Sequence, residues 1–565
     1  MKTRTLTILA LFTIYSVKSQ PVLQWAKNMG GYYHDSGLSI TSDNSGNVYT
    51  TGSFADVADF DPGAGTYNLT SAGSYDVFVS KLDSSGNFVW AIQIGGNLED
   101  YGYSMILDSM GNVYLTGYFS GTVDFNPGTG TYNLTSAGSY DIFISKLDAS
   151  GNLIWAKKMG TTGDDGGTSI ILDEYENVYT TGFFSGAVDF DPGIGSDTLT
   201  SAGGYDIFIT KLGPSGNFIW AKHIGGVLDD YGNSIVSDSL KNIYATGSFN
   251  GTADFDPGVG TFNLVSAGGS DIFITKLDSS GNFAWAKQVG AAGDDVGTSI
   301  IVNQYNNAYI TGHFTGTVDF DPGTGSYIVT STGWSDIFIC KLDSSGNFIW
   351  AKQMGGVNND YSRHIVSDNS NNMYTTGSFD LTADFDPGVG TFNLVSAGGY
   401  DVFISKLDSS GNFIWATRLG SAYMDMGYSI ALDENNNIYT TGNFAGTCDF
   451  DPGTGIYNLT ATGANTIPDV FVHKMSPSIA AITEIESAGL FILYPNPCSG
   501  IFSITYEKNE KISIEITNLC GKKILHTSIM ENKTSFDLTN EAAGIYFINI
   551  ITESGITTTR KIIRE

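Results

Sequence analysis

The sequence predicts an all-β fold: a seven-bladed β-propeller of 65-residue blades, its ring closed by the N-terminal strand, followed by a small Ig-like β-sandwich. Three observations predict it. Trp25, Trp90, Trp155, Trp220, Trp285, Trp350 and Trp415 recur at a constant interval of 65 residues. Within each interval, segments such as SMILD, NVYLTGYF, DIFISKLD and NLIWAKKMG, rich in Ile, Val, Phe, Tyr and Thr, alternate with polar turn clusters such as DSSGN, giving four strands per period. Strand-rich repeats of this length indicate propeller blades. After Met475 the period stops and a second region of alternating apolar residues begins.

In chain order, Lys2 and Arg4 precede an apolar stretch from Leu6 to Val17, and residues 1–19 have the pattern of a secretory signal peptide with a cut after Ser19. That stretch is too short to cross a bilayer, and no later one reaches the roughly 18 apolar residues of a transmembrane helix, so an exported chain with no transmembrane segment is expected. The propeller, residues 21–475, opens with the fourth-strand sequence PVLQWAK and ends with the third-strand sequence DVFVHKM. This circular shift predicts that the first strand completes the last blade and leaves no open edge.

The connection between the second and third strands, for example SGTVDFNPGTGTYNLTSAGSY after Phe119, is long, whereas the LDSSGN turns are short. Function in such a scaffold is expected on the face with the long loops. The columns of Asp35, Asp59, Asp61 and Asp76 gather there and predict a strongly negative face. The paired carboxylates of DFDPG, Asp59 with Asp61, Asp189 with Asp191, Asp254 with Asp256, Asp319 with Asp321, Asp384 with Asp386, and Asp449 with Asp451, have a spacing suited to calcium. The same spacing before Pro-Gly serves turn formation, with Phe60 as an inward anchor. With 27 Lys and Arg against 58 Asp and Glu, net charge −31, the chain lacks the footprint of a nucleic-acid partner.

No catalytic constellation is present: the histidines fall in unrelated positions, and no HExxH, GxSxG or CxxC occurs. Cys340 and Cys448 replace small residues of the repeat, while Cys498 and Cys520 share the terminal region and could pair. Four positions break the period on neighbouring loops. Trp334 stands where other repeats have Ser or Gly, Arg363 and His364 interrupt the DYGYS-like pattern with His364 in place of Ser, and His313 breaks its own column. An aromatic face, a guanidinium and imidazoles are groups that bind a sugar or an anionic glycan.

The run GG…DYG.SI.LD..GN.Y.TG.F…DIFI.KLD.SGN..WAK resembles the SBBP repeat, a seven-bladed β-propeller repeat of secreted bacterial proteins, over about four-fifths of the chain. That resemblance implies a fold and no activity. Residues 476–490 are an unpatterned linker. Residues 491–565 resemble the type A C-terminal sorting domain of the type IX secretion system of Bacteroidetes, with Tyr494, Pro495, Asn496, Pro497 and Gly500 matching its opening motif, Gly521, Gly544 and Tyr546 its middle, and Lys561 its basic end. The resemblance implies delivery across the outer membrane by that machinery to the cell surface or medium. The expected function is a binding or adhesion scaffold for an extracellular glycan or protein. The alternatives are an extracellular polysaccharide-active enzyme and a structural surface or matrix protein.

Overall fold

A computed structural model describes residues 20–463, 466–477, 491–506, 511–518, 522–530, 533–553 and 557–564. The expected signal peptide, the insertion near Asn465, residues 478–490 of the linker, Gly521 and Cys520 lie outside the described residues. The described chain is all-β and divides into two compact units, residues 1–478 and 479–565. No helix among the described residues is long and apolar enough to cross a membrane.

The larger unit consists of repeated four-stranded antiparallel sheets. In one of them the order is Ser36–Ser42, Val48–Phe54, Asp76–Leu82 and Phe88–Gly96, from inner to outer strand. Six further sheets repeat this order. In one of those six the outer strand is Val22–Gly31, paired with Asp469–Ser476 from Val22↔Ser476 to Met29↔Val470. Val48–Phe54 is buried along its whole length and Asp76–Leu82 at every residue but Lys81, because the interior faces of adjacent sheets meet there. One cluster joins Trp25, Ile40, Phe54, Phe60 and Phe78 to Tyr439, Val470 and Val472, residues from both ends of the repeat array.

The invariant side chains of the repeat tie sheet to sheet. Trp25, Trp155 and Trp285 donate Nε1–H to the carbonyls of Ser84, Pro214 and Ser344 in the next repeat (3.2, 3.1 and 3.3 Å). Lys81 lies over the Tyr49 ring at 4.7 Å, and the same Lys-over-Tyr contact recurs in the other six repeats. The long connection is not a plain loop. It holds a hairpin, Val57–Asp59 with Asn68–Thr70, whose first strand pairs with the outer strand of the preceding sheet (Gly30↔Asp59, Gly31↔Ala58). Equivalent links join Gly95 to Asp124, Gly225 to Asp254, Gly290 to Asp319, Gly355 to Asp384 and Gly420 to Asp449.

Those glycines are fixed by a neighbouring carboxyl group. A Cβ on Gly95 would stand 2.1 Å from Cγ of the fully buried Asp76. Gly95→Ala is therefore expected to cost about 3 kcal/mol of stability, the upper range for overpacking. Gly316, with φ +71° and nothing within 4 Å of its Cβ position, pays only the left-handed backbone term of about 1 kcal/mol on the same change. Urea unfolding of the two variants should show this order.

The smaller unit has two antiparallel sheets. One holds Phe491–Tyr494, Ile501–Tyr506 and Lys533–Asp537; the other Lys523–Ile529, Ile512–Asn518, Gly544–Thr552 and Thr557–Arg564. Phe502, Ile504 and Phe536 from one sheet and Ile514, Ile548 and Ile562 from the other form one apolar cluster.

Candidate ligand-binding cavity

Every inner strand carries a bulge at one position. In Ser36–Ser42 the register passes from Gly37↔Gly52 to Ser39↔Thr51, leaving Leu38 as the extra residue. The same displacement falls at Tyr103, Thr168, Asn233, Thr298, Arg363 and Tyr428. A bulge re-aims its side chain out of the regular alternation. All seven of these side chains line a single cavity of about 450 Å³. The bulged position changes chemistry from repeat to repeat, whereas the next residue is Ser in six of the seven.

The residue after the bulge links each inner strand to the next. Backbone N–H groups of Met105, Ile170, Ile235, Ile300 and Ile365 donate to Oγ of Ser39, Ser104, Ser169, Ser234 and Ser299 at 3.2–3.3 Å. His364 Nδ1 lies 3.1 Å from Ile430 N and 3.0 Å from Ile430 O, and Ile40 N–H donates to Ser429 Oγ (3.3 Å), so the series returns to its start. His364 thus takes the place of a serine in this series, with its Nδ1 against the Ile430 backbone. Burial lowers its pKa to about 4, against the backbone hydrogen bond to Ile430, which leaves the imidazole neutral.

Most polar groups at the bulges are already engaged. Thr168 and Thr298 donate through Oγ1 to the carbonyls of Gly232 (2.6 Å) and Ser362 (2.9 Å), and Asn233 through Nδ2 to Gly297 (2.9 Å). The Tyr103 and Tyr118 hydroxyls are 3.2 Å apart. Arg363 differs. Its guanidinium lies over the Tyr361 ring at 5.6 Å, its Nε is buried without a partner, and among the described residues it forms no salt bridge. His313 meets Tyr361 edge-on at 4.8 Å, with Nδ1 also buried and unpartnered. Burial first, and the Arg363 charge second, lower its pKa to about 3. Of the four period-breaking residues, Arg363 and His364 line the cavity and His313 packs beside them through Tyr361. Trp334 does not line it and stands 76% exposed on the long connection.

The carboxylates are distributed differently from the expected negative face. Asp35, Asp100, Asp165, Asp230, Asp295, Asp360 and Asp425 are wholly buried, as are Asp76, Asp141, Asp206, Asp271, Asp336, Asp401 and Asp469. The Asp35 carboxylate accepts from Gly31 N–H (2.7 Å) and Ala55 N–H (3.1 Å), and its column repeats this bridging. These groups are inside the fold, so a count of Asp residues overstates the surface charge. In the DFDPG turns, Asp59 Oδ1 accepts from Asp61 N–H (3.0 Å) and Tyr67 N–H (2.8 Å), and Asp61 Oδ1 from Gly63 N–H (2.8 Å). The pairs Asp189 and Asp191, Asp254 and Asp256, Asp319 and Asp321, Asp384 and Asp386, and Asp449 and Asp451 make the same bonds. That is turn-closing geometry. Among the described residues no group of three or more His, Cys, Asp or Glu side chains is gathered as a metal site.

In the smaller unit, the opening motif clasps the last strand. Asn496 Nδ2 donates to the Lys561 carbonyl (2.8 Å), and its Oδ1 accepts from Ile563 N–H (2.9 Å). Tyr546 is buried and donates its hydroxyl to the Ala542 carbonyl (2.6 Å), whereas Tyr494 is exposed. A Cβ on Gly500 would meet Thr539 Cα at 3.0 Å. Pro497 and Lys561 line one shallow pocket with Asn496, and Cys498 is buried.

Residues 492–565 match the family of secretion system C-terminal sorting domains, and residues 89–118 and 414–443 match the beta-propeller repeat. The sorting domain marks an exported chain, carried by type IX secretion to the cell surface or extracellular space. An uncharacterized WD repeat-containing protein, L264, of Acanthamoeba polyphaga mimivirus is 24% identical, with 76% of this chain and 36% of that protein covered. Regulatory protein FlaEY of Caulobacter vibrioides is 25% identical over 27% of this chain and 16% of its own length. The chain thus spans little more than a third of the first of these relatives and about a sixth of the second. Among solved structures, a protein of unknown function from Bacteroides caccae aligns at 10% identity (59% of this chain, 94% of that one, TM-score 0.27). PorZ, a surface component of the type IX secretion system of Porphyromonas gingivalis, aligns at 11% identity (96% and 100%, TM-score 0.18).

Proposed function

We propose that this exported β-propeller-repeat protein is a binding scaffold, a closed seven-bladed ring that takes its ligand in the central cavity. Closure is supported by the pairing of Val22–Gly31 with Asp469–Ser476 and by the cyclic series of hydrogen bonds from Ser39 to Ser429. The observation that carries the functional reading is the bulged column. Most columns of the repeat restate one chemistry seven times, whereas Leu38, Tyr103, Thr168, Asn233, Thr298, Arg363 and Tyr428 differ in chemistry and converge on one cavity. Its volume falls within the range of about 300–1,000 Å³ found for small-molecule sites. The groups lining it, hydroxyls, an amide, a guanidinium and two tyrosine rings, suit a polar ligand with one face for stacking, such as a terminal sugar of an extracellular glycan. The smaller domain serves delivery.

The test is a glycan array with the secreted protein, followed by Tyr103→Ala and Tyr428→Ala. Each variant is expected to weaken the selected ligand at least tenfold with the melting temperature unchanged to within a few degrees. Trp334→Ala should leave affinity within twofold. Loss of binding with Trp334→Ala and retention with both tyrosine variants would move the site to the outer loops.

A further inference from the structure

We propose that Arg363 is the oxyanion-binding group of this cavity, and that the ligand carries a carboxylate or sulfate on a small polyhydroxyl body. The proposal rests on the cavity being the binding site and names the chemistry it selects. Lysines of the repeat face acids: Lys146 lies 3.4 Å from Asp108, Lys276 3.5 Å from Asp238, and Lys406 3.5 Å from Asp368. The other arginine of the repeat array, Arg418, pairs with Asp401 at 3.0 Å. Arg363 alone supplies charge to the cavity lining, and among the described residues no carboxylate pairs with it.

Arg363 Nε, Ser362 Oγ and His313 Nδ1 are all buried with no hydrogen-bond partner. Ser362 occupies a position that is Gly in the other six repeats, so its hydroxyl is an addition at this one place. Three successive residues, Ser362, Arg363 and His364, therefore depart from the repeat together. The nearby acid that acts on His313, Asp294, is turned away and accepts from the Ser270 N–H (3.0 Å) and hydroxyl (3.3 Å). The half-buried guanidinium has no counter-charge in the cavity, and its planar fork matches the paired oxygens of a carboxylate or sulfate. Tyr103 and Tyr428 offer aromatic surface to the sugar body, and Ser39, Ser104, Ser169, Ser234 and Ser429 surround it with hydroxyls.

Calorimetric titration of the full secreted chain with sodium glucuronate, glucose 6-sulfate and glucose tests this, with Arg363→Gln and Arg363→Lys alongside. At least one acidic sugar should bind tenfold or more tighter than glucose. The preferred one of the two identifies whether carboxylate or sulfate is the cognate group. Arg363→Gln should erase the preference and retain the wild-type melting curve, and Arg363→Lys should restore part of the preference. Equal affinity for glucose and both acidic sugars, binding of neither acidic sugar, or an undiminished preference in Arg363→Gln would each overturn the proposal. If the array-selected ligand is then still lost with Tyr103→Ala, the cavity remains the site and only its anion selectivity is refuted. If that ligand is insensitive to Tyr103→Ala as well, the reading of the cavity fails with it.

Discussion

A chain that begins at Gly31 will lose the cooperative thermal transition shown by one that begins at Gln20. Residues 21–30 supply the outer strand on Asp469–Ser476, and Trp25, Ala26 and Met29 are buried against the last repeat and the first. Truncating a buried Trp costs about 3–5 kcal/mol and a buried Met about 2–5 kcal/mol. Together these approach the whole stability of a typical domain, about 5–15 kcal/mol. The deletion also exposes an unpaired strand edge, a template for association. Calorimetry should show a broadened transition and aggregation, with recovery when a peptide of residues 21–31 is added. An unchanged transition would mean that the repeat array is held without this strand.

The second large effect is on pH dependence, and its direction is opposite to ordinary acid denaturation. Each repeat buries two carboxyl groups on one glycine: a Cβ on Gly30 would lie 2.7 Å from Asp469 Oδ1 and 2.8 Å from Asp35 Oδ2. In every pair the Asp76-type residue has a buried Oδ1 with no partner. Burial raises the pKa of Asp35 to about 8, of Asp100, Asp230 and Asp360 to about 7, and of Asp165, Asp295 and Asp425 to about 6. Lys158 at 3.1 Å from Asp141 and Arg418 at 3.0 Å from Asp401 balance two pairs, while Gln93, Gln288 and Gln353 face others.

Between pH 4 and these raised values the folded chain holds protons that the unfolded chain has released, so stability falls as pH rises through about 6 to 8. One unit of such a difference in one group is worth about 1.4 kcal/mol. With seven pairs acting, the melting temperature should drop by about 5 °C or more from pH 5 to pH 8.5. Asp76→Asn, which places an amide where the unpartnered oxygen stands, should raise the melting temperature at pH 8.5 and have little effect at pH 5. A melting temperature that rises from pH 5 to pH 8.5 would contradict protonation of these buried carboxyl groups in the folded chain.

The parts of this molecule legible in its sequence are those that the repeat restates. The tryptophans mark one structural position, the fourth-strand sequence PVLQWAK at Pro21 showed that the first strand belongs with the last repeat, and DFDPG was readable as a turn with Phe60 inward. The hairpin within the long connection was visible only as the recurring NLT segment, because its pairing partner lies in the preceding repeat. The cavity was harder to see. A bulge shifts register without changing the strand pattern, and its trace is the unspecified residue in DYG.SI, which varies between a mostly invariant Gly and a mostly invariant Ser. Trp334 drew attention as a lone large aromatic, yet size says nothing of direction, and it points to solvent. The buried carboxyl pairs were counted as surface charge because composition does not report burial. Their signal was the fixed spacing of five residues between Gly30 and Asp35, Gly95 and Asp100, and their equivalents.

The central claim is that a ligand enters the cavity formed by the bulged column. A crystal structure of the secreted protein with its array-selected glycan tests it most directly. The expected result is density between Tyr103 and Tyr428 with an anionic group on Arg363. Density on the long connections around Trp334, with no ligand in the cavity, would contradict it.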